Sequence, residues 1–149
     1  MAMLSSILAT LYERDLRKLI EEVNVFNDEE HLWRTHGSMK NSSGNLVLHI
    51  IGGMNHFFGA TLARTGYVRN RDQEFARKGV KREELVKELE QLIPMMTKTI
   101  SALSQEQLDA DYPLQFDNMQ TSTSYVVVRL LAHLNYHLGQ VNYLRRALE

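Results

Sequence analysis

Apolar residues recur at intervals of three and four along most of this chain, the pattern of helices that bury one face. It predicts a first helix from Leu4 to about Phe26, with Ser5 or Ser6 able to cap it and Ile7, Leu8, Leu11, Leu19 and Val23 on its apolar face. Asp28 to Arg34 reads as one extra turn carrying Trp33, and residues 35–43 as a polar loop. A second helix is predicted from about Ser43 to Arg64, capped by Ser42 or Ser43, with Gly66 as its C-terminal stop. Tyr67 to Val80 is a long polar connection. The third helix, Lys81 to Leu103, turns Leu85, Leu89, Leu92, Met96 and Ile100 inward, and Pro94 in its interior is expected to kink it. Ser104 and Gln107 form a capping box for a short turn, and Tyr112 to Thr121 suggests a small hairpin with Asn118 near its bend. The last helix, Ser124 to Arg146, carries Val126, Leu130, Val141 and Leu144 along one seam. These elements amount to one all-α domain over residues 1–149 with four main helices.

Composition enters mainly by exclusion. With 149 residues, 44% hydrophobic and 23% charged, the chain is an ordinary globular one with room for a single sizeable core. A net charge of −1 without a basic stripe gives no footprint for nucleic acid. There is no cysteine, so disulfides, thiolate metal sites and cysteine nucleophiles drop out together, and any thiol chemistry needs a thiol from outside. No apolar run reaches the ~20 residues of a membrane span, and the first residues do not read as a signal peptide. The expected location is the cytoplasm.

The candidate chemistry lies on the helices' inner faces. His133 and His137 are four residues apart on the last helix, ~40° and ~6 Å from one another on the same face as the apolar seam. On the second helix Asn45, His49, Gly52, His56, Gly59 and Ala63 fall along one strip. A single buried histidine is usually a core residue with its hydrogen bonds satisfied. Three on inward strips, two of them at chelate spacing, point instead to a metal held by His49, His133 and His137. The stretch His-Leu-Asn-Tyr-His lacks the glutamate of the HExxH metalloproteases, and no Glu-x-x-His occurs, which argues against a di-iron bundle. Three neutral ligands leave a dication its charge and an open position, the make-up of a Lewis acid. Zinc fits this set best, with nickel, iron or manganese as alternatives.

Around that set, Gln140 lies one turn past His137 and is expected to orient an imidazole, and Asn45 to donate into the cavity. His56, ~10 Å along the axis from His49, is a candidate base or channel residue. Glu74, with Asp72, is an acid in the connecting loop that could fold over the open end and is a second candidate catalytic residue. The paired Gly52 and Gly53, each unfavourable in a helix by ~1 kcal/mol, make room beside His49 for a ligand or a close helix.

His49 in NLVLHIIGG, together with His133, His137, Gly139, Gln140 and Val141 in HLNYHLGQV, resembles the DinB/YfiT-like superfamily of metal-dependent proteins, and RNRDQEF, residues 69–75, looks like that family's loop. The resemblance covers nearly the whole chain. It implies a four-helix bundle with up-down-down-up connectivity, a metal on the three histidines and a homodimer. Relatives of this kind include transferases that use a low-molecular-weight thiol (bacillithiol, mycothiol or glutathione) and isomerases that need one. The expectation is therefore a metal-dependent transferase activating a small thiol for attack on an electrophilic small molecule. A metal-dependent hydrolase, and a non-catalytic small-molecule-binding or stress-associated protein with a structural metal, are the alternatives.

Overall fold

The computed structural model describes residues 3–149. Helix α1 spans Leu4–Val25 and buries Leu8, Tyr12, Leu16, Leu19 and Val23, a stripe of three- and four-residue steps. Met3 is its N-cap, without a side-chain hydrogen bond, so neither Ser5 nor Ser6 caps it, and Ile7 faces solvent rather than the core. After a 3-10 turn over Glu29–Trp33, α2 runs from Ser43 to Met54 with the Ser42 hydroxyl accepting the Asn45 N–H at 3.2 Å. Every residue of α2 except His49 is buried, as expected for a helix that is apolar nearly all round.

The second helix does not continue as an α-helix to Arg64. From Asn55 to Ala60 it widens to π geometry and then ends in a turn, with Arg64 and Gly66 in the left-handed region. The polar connection contains a short helix, α3, over Arg71–Ala76, capped by Asn70. Helix α4, Arg82–Ser101, passes through Pro94, which lies on its exposed side. Helix α5, Gln105–Asp109, opens on the Ser104–Gln107 capping box. The segment that follows makes two isolated antiparallel bridges, Asp111 to Ser122 and Phe116 to Met119. Asp117 and Asn118 at its tip have φ of 51° and 61°, the left-handed pair that a tight hairpin turn requires. Helix α6, Thr123–Leu148, completes the chain.

Polar contacts give the helix directions. Tyr12 bonds the Val127 carbonyl, Asp15 bonds Asn135 and Glu22 bonds Asn142, so α1 and α6 run parallel. Arg82 at the start of α4 donates to the Asn24 and Phe26 carbonyls at the end of α1, so α4 runs back. Helix α2 packs on α6 and α4, with Leu46 and Leu144 lining one cavity and His49 beside His133. It is therefore antiparallel to α6, and the bundle is up-down-down-up. No helix among the described residues is long and apolar enough to cross a membrane.

Candidate metal centre

The antiparallel packing of α2 on α6 brings His49, His133 and His137 together. His133 Nε2 lies 3.1 Å from His49 Nε2 and 3.1 Å from His137 Nε2. The ligand atoms of all three fall within 4.8 Å of one another. Two nitrogens bound to one ion at ~2.0–2.1 Å sit about 3.0–3.4 Å apart, so the spacing fits a shared cation.

Hydrogen bonding to the outer nitrogens argues the same way. His49 Nδ1–H donates to Glu74 Oε1 at 3.0 Å, and His137 Nδ1–H donates to Gln140 Oε1 at 2.6 Å. With those protons on Nδ1, both neutral rings turn bare Nε2 lone pairs toward His133. His133 Nε2 carries at most one proton and can satisfy only one of them. At least one inward-facing lone pair is then left without a hydrogen of its own, which a cation relieves. Burial also pushes the imidazoles below their ordinary range. In His49 it outweighs the attraction of Glu74, and in His137 the bond to Gln140. In His133, burial and the neighbouring His137, His49 and Arg129 lower it to about 4. All three are therefore neutral and able to ligate at pH 7.

Glu74 does not fold over the open end. It is buried against α2, on the outer side of the His49 ring, and Arg69 grips it through Nε at 2.8 Å and Nη2 at 2.9 Å. Gly52 makes this possible, since a Cβ there would lie 2.0 Å from Glu74 Oε2. The room opened by the glycines is thus filled by the chain's own carboxylate, while Asp72 stays exposed. Asn45 is buried and does not reach the triad. Its Nδ2 donates to the Glu74 and Arg77 carbonyls at 2.9 Å each, and its Oδ1 accepts from the Ser42 hydroxyl and the Lys78 ammonium. It fastens the loop that presents Glu74.

His56 is half-buried, its ring edge-on to Phe57 with centroids 4.8 Å apart. It does not line the cavity beside the triad; Phe57 does. Phe57 continues the strip of Ile50, Gly53 and Met54 along this cavity, seven residues past Ile50, and His56 falls one residue off it as the helix enters the π segment. Two cavities reach the histidines. One of about 190 Å3 touches His49 and His133, and another of about 450 Å3 touches His137, Gln140, Tyr136 and Tyr143. The smaller is also walled by Arg69, Arg71, Arg129 and Phe116, none of which spacing alone singled out. One signal was available for Arg129, which stands four residues before His133 and so shares the triad's face.

A family model described as "Protein of unknown function (DUF1572)" matches residues 4–149. The solved structure of a DinB-like protein from Bacillus cereus ATCC 10987 superposes with a TM-score of 0.72 at 13% identity, covering 95% of this chain and 90% of the other. The DinB-like protein YjoA from Bacillus subtilis superposes at 0.69 with 16% identity, over 95% and 91% of the two chains. No curated protein matches the sequence.

Proposed function

From the premise that this chain belongs to the DUF1572 family of proteins of unknown function and has the DinB-like fold, we propose that it is a metal-dependent transferase that activates a small external thiol for attack on an electrophile. The observation that carries this reading is the convergence of three neutral imidazoles with no carboxylate among them. His49, His133 and His137 would hold a divalent cation, which would supply Lewis acidity that lowers the pKa of a thiol or water beside it.

The chain's own residues do the rest. Glu74 and Gln140 hold the Nδ1 protons and so keep the Nε2 atoms of His49 and His137 aimed inward. Arg69 and Gly52 keep Glu74 in place. Two cavities meeting at one triad suit a reaction with two organic reactants better than hydrolysis, which needs one. The carboxylate closest to the triad, Glu74, is engaged by His49 and Arg69, which leaves it unsuited to deprotonating water. A thiol starts from a pKa near 8–9 and needs far less help than water.

The test is consumption of 1-chloro-2,4-dinitrobenzene and of its anionic counterpart 4-chloro-3,5-dinitrobenzoate by the zinc-loaded protein across a panel of thiols that includes glutathione and cysteine. The reading expects a rate that saturates in one thiol and falls by about a hundredfold or more in His133→Ala. A rate equal in the variant, or none with any thiol, contradicts it.

A further inference from the structure

The smaller cavity beside the triad has a charge pattern that ligand-holding does not explain. Three guanidinium groups, Arg69, Arg71 and Arg129, meet one carboxylate, Asp117, on its wall. Arg69 is neutralised by its two-point grip on Glu74. Arg71 and Arg129 have no carboxylate within ion-pair distance among the described residues, and neither pairs with Asp117. The Arg71 guanidinium lies 5.2 Å from the Phe75 ring centroid, and Phe75 in turn packs on His49 with centroids 5.0 Å apart. Arg129 sits one helical turn before His133. Two unpaired guanidiniums at the mouth of a cavity beside a cation site concentrate positive potential where an anion can be held by charge-assisted, two-point bonds.

The remaining wall is apolar. Phe57 and Phe116 meet edge to face with centroids 5.5 Å apart. A volume of about 190 Å3 corresponds to roughly six waters of liquid, which limits the occupant to a small molecule. On the reading proposed above, we infer that the electrophilic substrate is a small organic anion, its carboxylate or phosphate-like head held by Arg71 and Arg129 and its apolar body lying against Phe57 and Phe116.

The probes are benzoate and phenylphosphonate, titrated calorimetrically into zinc-loaded and metal-free protein, for the wild type, Arg71→Gln, Arg129→Gln and the double variant. The expected result is saturable binding of at least one probe to both forms of the wild type. Each single variant should weaken it about tenfold and the double variant about a hundredfold, with metal content unchanged. Tighter benzoate marks a carboxylate substrate and tighter phenylphosphonate a phosphate-like one; both uphold the site. Binding of equal strength in wild type and double variant, or to neither form, overturns it. So does binding that needs zinc and ignores the arginines, because the anion would then sit on the metal alone. A wild type that takes up no metal yet binds a probe through the arginines would keep the anion site and discard the metalloenzyme reading.

Discussion

At the scale of single residues, Gly52 does more for the site than its composition suggests. Alanine is favoured over glycine in a helix by ~1 kcal/mol, so propensity alone would make Gly52→Ala stabilising. The Cβ would lie 2.0 Å from Glu74 Oε2 and 2.6 Å from its Cδ, and a buried carboxylate pinned by Arg69 and His49 cannot swing aside. Gly52→Ala should therefore lose about 1–3 kcal/mol in urea unfolding and roughly 10–100-fold in zinc affinity, since the carboxylate that orients His49 is displaced. Gly53→Ala is the internal control, because its Cβ meets only Arg69 at 3.5 Å and should be tolerated. A Gly52→Ala protein as stable and as zinc-avid as the wild type would contradict this account. The three histidines were legible because their spacing carries the information: four residues on one helix, and an inward strip on another. Glu74 was legible only as an acid in a loop. Its partner His49 lies 25 residues away, and only the folded connection brings them together.

At the scale of elements, the π segment and the loop before α6 act as one unit. The Tyr112 hydroxyl donates to the Phe57 carbonyl at 2.7 Å, holding the wide turn against the loop that carries Phe116 and Asp117. Helical periodicity assumes 3.6 residues per turn, so a strip read from spacing carries no warning of where the helix widens; His56, at the start of the π segment, falls one residue off the strip that Ile50, Met54 and Phe57 present to the cavity. Burial pushes the Tyr112 phenol up to about 12. A folded pKa above the ordinary 10 means the neutral phenol stabilises the fold below pH 10, and that contribution is lost as pH rises from 10 through 12. Tyr112→Phe should be about 1–2 kcal/mol less stable at pH 8, where it leaves the Phe57 carbonyl unpaired. Thermal unfolding followed by circular dichroism from pH 8 to 12 should then show the gap between the two proteins closing. Curves that stay parallel across that range would rule out the buried phenol as the titrating group, with Tyr12, also raised by burial, as the shared background.

At the scale of the whole molecule, connectivity creates the site. Parallel α1 and α6 and a long return connection set α2 antiparallel to α6, which is the arrangement that stacks His49 against a pair one turn apart. The helices and their apolar faces were readable from periodicity, because burial of a stripe is a local property of sequence. Their order and direction were not: up-down-down-up came from resemblance and rests in the structure on contacts such as Glu22 to Asn142, 120 residues apart. The same limit hid Arg69 and Arg71, which a loop carries to the cavity wall without any periodic signal.

Whether His49, His133 and His137 hold a metal is decided by the metal content of the purified protein. The measurement is inductively coupled plasma mass spectrometry on protein purified without a metal-affinity column, native against His49→Ala and His133→Ala. A metal held by the triad gives about one divalent ion per chain in the native protein and loss of it in both variants. Less than about a tenth of an ion per chain, with no uptake from added zinc, nickel, iron or manganese, would contradict it and leave the three imidazoles as cavity lining.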